Sequence, residues 1–91
     1  MKKTELLEQI DRAVRSCHQC RLYRTRTSTV SGEGSSSAQI AFVGEAPGFN
    51  EDREGRPFVG KAGKLLDELL RSINLSREEV WIGNVIKCRP P

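Results

Sequence analysis

The sequence predicts an α/β fold, because two short apolar segments flank one clear amphipathic helix. Residues 39–43 and 80–86 are rich in β-branched and aromatic residues, which favour buried strands. Residues 61–73 between them place leucines and an isoleucine three and four positions apart, the period of a helix with one apolar face. Strand, helix and strand in that order predict a parallel βαβ unit, whose crossover is almost always right-handed.

Two parallel strands do not make a complete sheet, since parallel sheets are buried on both faces and their edges need cover. The 91 residues allow one small domain. The second predicted strand is followed by Lys87, Cys88 and Arg89 and then by two prolines. We therefore expect residues 1–91 to be the N-terminal portion of a single, larger α/β domain whose C-terminal half is absent.

The remaining segments are predicted as one further helix, one short turn and polar loops. The first helix should run from about residue 4 to residue 15, with Thr4 as its N-cap. Residues 31–37 contain only glycine, serine and glutamate and are predicted as a loop, as is the polar segment 50–56. Residues 76–79 fit a capping box that opens one short turn.

Composition narrows the classes of function. No apolar run approaches the roughly 20 residues that span a bilayer, and the polar N-terminus lacks the apolar centre of a signal peptide. We therefore expect a cytoplasmic protein with no membrane partner. The net charge of +3 is compatible with nucleic acid without demanding it. Basic residues cluster at 12–26 and at 53–64, although solvated surfaces are the more ordinary explanation from charge alone.

The odd number of cysteines, three, argues against a disulfide framework and for a metal or a reactive thiol. Cys17 and Cys20 can reach one metal from a single turn, and Cys88 follows the second predicted strand, from which the chain could return to them. A redox dithiol would need a strand before the pair, and the haem signature is absent because Arg21 follows Cys20. Zinc with His18 as fourth ligand, an iron–sulfur cluster, and structural or incidental cysteines stay open.

Three features are typical of a ligand pocket. The turn from Gly44 to Gly48 follows the first strand, and parallel α/β sheets bind ligands at the carboxyl ends of their strands. This turn is not a phosphate-binding P-loop, because it does not end in Gly-Lys-Ser or Gly-Lys-Thr. Phe58 lies between glycines and cations, which suits stacking on a base, although a core aromatic would leave the same pattern. Asn84 interrupts an apolar strand, where a buried amide needs a partner in the protein or in a ligand. Its adjacent donor and acceptor match the N3–H and O4 edge of uracil and mismatch cytosine.

Four motifs together resemble the signatures of family 4 uracil-DNA glycosylases, in that family's order and approximate spacing. They are C-H-Q-C-R-L at 17–22, V-G-E-A-P-G at 43–48 with Glu51 and Asp52, G-R-P-F-V-G-K-A-G at 55–63, and N-V-I-K-C-R-P-P at 84–91. The resemblance implies a three-layer α/β/α fold, of which this chain is a part. It also implies a base excision repair enzyme that hydrolyses the N-glycosidic bond of uracil in DNA and releases free uracil.

The resemblance implies a cofactor as well. Cys17, Cys20 and Cys88 match three of the four cysteines that hold a structural [4Fe-4S] cluster in the family, and the fourth is not in this chain. Zinc is the alternative. Some family members are reported to use a sliding clamp, so the resemblance allows that partner too.

Site residues follow from the same resemblance. It implies that the backbone of Glu45, Ala46 and Pro47 borders the flipped uracil, that Phe58 stacks on it and that Asn84 recognises its edge. Glu51 matches an acidic position near the C5 side of the base, where we expect it to help exclude the methyl of thymine. The expected catalytic residues are Glu45, Glu51 and Asn84.

Ala46 stands where related glycosylases carry a water-activating aspartate, which implies a dissociative mechanism. The family's later His-Pro motif is not in the sequence, so we expect the 91-residue chain to have little or no glycosylase activity. The alternative function is a non-catalytic nucleic-acid-binding module that contains a metal or a cluster.

Overall fold

The computed structural model describes residues 2–91, and its elements are three α-helices, two 3-10 turns and three strands. The first 3-10 turn follows α1, and the second precedes β3. In chain order they are α1 (Lys3–Arg15), the first 3-10 turn (Arg21–Arg24), β1 (Glu33–Gly34), β2 (Ala41–Gly44), α2 (Phe49–Glu54), α3 (Lys61–Ser72), the second 3-10 turn (Arg77–Glu79) and β3 (Trp81–Asn84).

The sheet has the order β1-β3-β2, with β3 at its centre. β2 and β3 run parallel, and α3 lies between them in the chain, so the predicted α/β class and parallel βαβ unit are confirmed. In the register of this pair, Phe42 is opposite Ile82 and Gly44 is opposite Asn84. The carboxyl ends of the two parallel strands therefore lie side by side.

The prediction of a loop over residues 31–37 was wrong for its middle part. Glu33 and Gly34 form β1, which pairs antiparallel with Ile82 and Trp81 of β3. A strand of two residues has no periodicity of its own, because its pairing partner lies far away in the sequence. Glycine and serine around it gave the segment the composition of a loop.

The polar segment 50–56 was also wrongly predicted as a loop, since Phe49–Glu54 forms α2. Two acidic residues, Glu51 and Asp52, lie in its first turn, where they interact favourably with the positive end of the helix dipole. The helix has only six residues, too few to show an apolar period.

Thr4 is not the N-cap of α1. The cap position is Lys2, with no side-chain capping bond, and the Thr4 hydroxyl instead shares a hydrogen bond of 3.2 Å with the Ser36 hydroxyl. The second predicted cap is confirmed: the Ser76 amide donates to the Glu79 carboxylate at 3.1 Å, within a complete capping box.

The core lies between α3 and the sheet. Only part of the predicted apolar stripe of α3 is buried, because the three strands cover one side of the helix and leave Leu65, Leu69 and Ile73 exposed. No helix within residues 2–91 is long and apolar enough to cross a membrane. The buried cluster consists of Leu70, Val80 and Ile82, with Phe42, Phe58, Leu66 and Leu75 packed against it.

Candidate functional site

A cavity of about 110 Å³ lies at the carboxyl ends of β2 and β3. Pockets for drug-sized ligands measure roughly 300–1,000 Å³, so this cavity suits a much smaller ligand, about the size of a single ring. Its lining comes from the turn after β2, from α2, from the loop before α3, from the start of α3 and from the end of β3. The lining residues are Ala46, Glu51, Phe58, Ala62 and Asn84.

Asn84 ends the central strand and is 5% exposed. Among residues 2–91 no hydrogen bond involves its side-chain amide, and the fully buried side-chain nitrogen without a partner is Arg77 Nε, so the Asn84 amide atoms are not sealed in the core. Gly44 makes room for it: a β-carbon on Gly44 would lie 2.5 Å from Asn84 Oδ1 and 2.8 Å from Phe58 Cζ. The amide donor and acceptor are therefore available to a ligand in the cavity.

Phe58 forms the aromatic side of the cavity and has a left-handed backbone, with φ of 53°. That conformation costs a non-glycine residue about 1–2 kcal/mol and persists only where the surroundings hold it. Gly63 of α3 lies against the Phe58 carbonyl, since a β-carbon at position 63 would collide with the carbonyl oxygen. The guanidinium of Arg77 donates to the same carbonyl at 3.0 Å. The position of Phe58 is therefore fixed by contacts on both sides.

Glu51 joins the two loops that border the cavity. One carboxylate oxygen accepts from the Gly48 amide at 3.0 Å, and the other accepts from the amides of Val59 and Gly60 at 2.9 and 2.8 Å. Burial raises the pKa of Glu51 and these backbone bonds lower it, and the bonds prevail, so the pKa lies below its ordinary value. A carboxylate held as an anion by three donors is a weak proton acceptor and a rigid part of the wall.

Glu45, Ala46 and Pro47 occupy different positions relative to the cavity. Ala46 lines it, whereas Glu45 is exposed and Pro47 is buried outside it. The Glu45 carbonyl accepts from the Ile86 amide at 2.9 Å, which holds the turn to the end of β3. The structure thus brings Ala46, Glu51, Phe58 and Asn84 together, and the roles assigned to all of these residues stay predictions.

Sequence reasoning missed two contributors to this site. Ala62 lines the cavity from the first turn of α3, and its only signal was its place in the G-K-A-G end of the third motif. Arg77 contacts the loop that carries Phe58, and nothing in its local sequence indicated this.

The three cysteines lie in different environments: Cys17 is half-buried, Cys20 is exposed and Cys88 is buried. Arg26 connects two of their segments, because one of its nitrogens donates to the Cys17 carbonyl at 2.6 Å and to the Cys88 sulfur at 3.3 Å. Thiols are the donors that zinc and iron–sulfur clusters prefer, so the donor chemistry fits such a group. Residues 2–91 contain no set of three histidine, cysteine, aspartate or glutamate side chains placed to hold a metal ion.

His18, the candidate fourth ligand, contacts Ser16 and Tyr23. Its Nδ1 is 2.8 Å from the Ser16 carbonyl, and its ring packs against Tyr23 with 4.6 Å between centroids. These contacts use one ring nitrogen and one face of the imidazole.

The fold and the cavity define an α/β protein with a ring-sized cavity at the carboxyl ends of two parallel strands. The family model of the uracil DNA glycosylase superfamily matches residues 31–91, and the chain belongs to that superfamily.

Three curated relatives are each named a type-4 uracil-DNA glycosylase. The chain is 58% identical to the protein from Archaeoglobus fulgidus, over 96% of this chain and 44% of the relative. Identity is 58% with the protein from Sulfurisphaera tokodaii, over 93% of this chain and 39% of the relative. It is 53% with the protein from Thermotoga maritima, over 98% of this chain and 46% of the relative. The chain thus spans less than half the length of these relatives.

Proposed function

We propose that the protein is a DNA repair glycosylase that hydrolyses the N-glycosidic bond between uracil and deoxyribose. The observation that carries this proposal is the buried Asn84 amide, which has no partner within residues 2–91 and lines a cavity the size of a single ring. The superfamily match and the names of the relatives support the same reaction.

Recognition of uracil follows from the donors and acceptors of Asn84. Its Oδ1 accepts from uracil N3–H and its Nδ2 donates to O4, while the ring of Phe58 stacks on the face of the base. Cytosine presents an acceptor at N3 and an amino donor at C4. Oδ1 would then face an acceptor and Nδ2 would face a donor, so both groups of the Asn84 amide would stay unpaired. With the amide in this orientation, the pocket discriminates between the two bases by the penalty on the wrong one.

Glu51 is proposed to act against thymine. Its carboxylate lines the cavity and is fixed by three backbone amides, so it cannot move aside for an additional methyl group at C5 of the base. A Glu51→Ala variant that still releases no thymine from DNA would contradict this role.

The proposed reaction is dissociative. The bond between N1 and C1′ breaks, both electrons leave with uracil as an anion, and the sugar becomes an oxocarbenium ion that then adds water and loses a proton. Ala46 offers no group to activate the water, so catalysis depends on stabilising the departing anion. The Asn84 amide donor and the main-chain amides of Glu45 and Ala46 are the groups proposed to do this.

Uracil-containing DNA is the proposed substrate, and a surface next to the turn fits it. Phe49 is 58% exposed, and the guanidinium groups of Arg53 and Arg89 each lie 5.4 Å from its ring centroid. An exposed aromatic between two cations suits a neighbouring base and the phosphates beside it. Phe49 lies between Ala46 and Glu51 in the sequence, so this surface adjoins the cavity.

We also propose that Cys17, Cys20 and Cys88 supply three thiolates to a [4Fe-4S] cluster, with zinc as the alternative. The support is the thiol chemistry and the Arg26 side chain that connects the Cys17 and Cys88 segments. A bound cluster would hold these segments together. Iron, sulfide and zinc analysis of the purified protein distinguishes the two. Cytoplasmic localisation and a sliding-clamp partner stay predictions.

The experiment that tests the function measures free uracil released from a single-stranded oligonucleotide with one uracil, using protein expressed from its complete gene. Wild-type protein should release uracil and leave cytosine and thymine in matched oligonucleotides. Asn84→Ala should lower the single-turnover rate by about a hundredfold to a thousandfold, the cost of losing one donor to a developing anion. An exposed amide, Gln39→Ala, is the matched control. DNA binding without release of uracil would contradict the proposal and favour the non-catalytic module.

A further inference from the structure

Arg77 lies behind the cavity and holds the backbone of the loop that carries Phe58. Its side chain is 16% exposed and comes from the second 3-10 turn. Its Nη2 donates to the Pro57 carbonyl at 2.7 Å, and its Nη1 donates to the Phe58 carbonyl at 3.0 Å. One guanidinium therefore binds two successive carbonyls through two different nitrogens, a geometry that suits a planar fork of donors better than the single nitrogen of an ammonium.

Carboxylates from two other elements orient this guanidinium. Asp67 of α3 accepts from Nη1 at 3.0 Å, and Glu33 of β1 lies 3.5 Å from Nη2. Glu33 is itself held by Arg56, through two bonds of 3.0 and 2.8 Å. The side chain of Arg77 thus connects the loop with α3 and with the edge strand of the sheet.

The remaining donor of Arg77 indicates that this position is specialised. Its Nε is buried and has no hydrogen-bond partner among the described residues. Unpaired buried donors are rare in native proteins because their desolvation is not compensated, and each needs an explanation. The contacts made by the two terminal nitrogens must therefore offset the desolvation of Nε.

One of the two carbonyls that Arg77 binds belongs to Phe58, the residue with the strained backbone. Phe58 has a φ of 53°, and its carbonyl lies between Gly63 of α3 and Arg77. Without the guanidinium, the Phe58 carbonyl would lose its only side-chain donor among residues 2–91. The peptide between Phe58 and Val59 would then be held on its amide side alone, by Glu51, and its carbonyl could turn towards an ordinary backbone conformation. The ring of Phe58 would then leave its place beside Asn84 Oδ1.

We propose that Arg77 is a positioning residue for base stacking: it keeps Phe58 in the left-handed conformation that places its ring against the base. Arg77 does not line the cavity and acts only through Phe58. The inference rests on the proposed function, because release of uracil is its readout.

A double-mutant cycle tests the proposal. Single-turnover release of uracil and thermal unfolding are measured for wild type, Arg77→Gln, Phe58→Ala and the double variant, all expressed from the complete gene. Arg77→Gln alone should slow uracil release by about tenfold or more, because a small misplacement of a group that contacts the substrate is costly. In the Phe58→Ala background the same substitution should slow release by less than about twofold, since contacting residues that act together are not additive.

Arg56→Gln is the matched control, because it removes an arginine from the same ion-pair network without touching the two carbonyls. It should lower the rate equally little in both backgrounds. If Arg77→Gln does not fold, Arg77→Lys keeps the charge but not the fork, and the same cycle is run with it. A rate loss that is equal with and without the Phe58 ring would overturn the inference. A wild-type protein that releases no uracil would instead overturn the proposed function.

Discussion

The region around the cavity and the region around the first two cysteines differ in how the chain holds them. In the cavity region, the Glu51 carboxylate has three backbone donors, and the carbonyls of Pro57 and Phe58 share one guanidinium. In the cysteine region, no residue of α1 or of the first 3-10 turn is buried. The shape of the cavity is thus determined by contacts within the chain, whereas the cysteine region has few such contacts.

The connection between the two regions is narrow and polar. Asp52 of α2 is buried and accepts from the amides of Thr27 and Ser28 at 2.8 and 3.2 Å. Arg26 beside them donates to the Cys17 carbonyl and to the Cys88 sulfur. The contacts within the chain can therefore preorganise the pocket by themselves, whereas the cysteine segment would depend on the group that we propose its thiols bind.

The largest expected effect comes from filling the cavity. Gly44→Ala places a methyl group 2.5 Å from Asn84 Oδ1 and 2.8 Å from Phe58 Cζ, so it should slow uracil release by about a hundredfold through misplacement of both groups. The matched control is Gly83→Ala in the neighbouring strand, where the nearest contact would be an ordinary 3.4 Å. Equal rates for the two variants, measured under single-turnover conditions, would show that the cavity is not the site.

The second effect concerns the cysteine region. If the thiols hold iron or zinc as proposed, a chelator should open the trypsin sites between residues 12 and 24, because few contacts hold that segment otherwise. The site at Arg77 should stay protected, since its guanidinium is held by Glu33 and Asp67 and by the carbonyls of Pro57 and Phe58. Mass spectrometry of the first cleavage products makes the measurement. Simultaneous opening of the Arg77 site would contradict the distinction between the regions.

A smaller effect concerns the pH dependence of stability. The pKa of Glu51 is lowered in the folded protein, so its contribution is present above the unfolded pKa of about 4.3 and is lost as the pH falls through the folded value. Glu51→Gln should lower the free energy of unfolding at pH 7 by about 2 kcal/mol, because it loses charge-assisted bonds to three amides. The difference from wild type should shrink below pH 4. Glu54→Gln, exposed in the same helix, is the control for urea unfolding, and a constant difference at every pH would refute the assignment.

The smallest effect concerns DNA affinity. Arg53→Gln and Arg89→Gln should each weaken binding severalfold and reduce the slope of log affinity against log salt by about one, the signature of one lost phosphate contact. Arg24→Gln is the control, because Arg24 makes a similar contact, 5.7 Å from the ring of Tyr23, in the cysteine region. Fluorescence anisotropy with a labelled single strand provides the slopes, and three equal slopes would exclude the Phe49 surface as a DNA contact.

Local pattern was sufficient to predict the elements with a clear period. The parallel strands and α3 follow from apolar runs and helical spacing, and the closeness of Ala46 to Asn84 follows from the rule that parallel strands end at one edge. Phe58 was placed beside them only by the family resemblance. β1 and α2 could not be predicted in this way. One exists through pairing with β3, and the other is a six-residue polar helix.

The roles of residues that act through contacts distant in the sequence could not be predicted from local pattern either. Arg77 is 19 residues from the Phe58 carbonyl that it binds, and the need for glycine at position 44 is visible only when Asn84 is opposite it. The cysteines show the reverse case. Their spacing indicates the chemistry of a metal or cluster, but it does not determine where the three sulfurs lie.

The central claim is that Asn84 recognises the edge of uracil in this cavity, and a titration with the free base tests it most directly. The side-chain amide protons of Asn84 are followed by NMR as uracil is added, with cytosine as the matched ligand. We expect uracil to shift the Asn84 amide signals in a saturable manner and cytosine to leave them in place. Saturable binding of uracil with no change at Asn84, or equal shifts with both bases, would contradict the account.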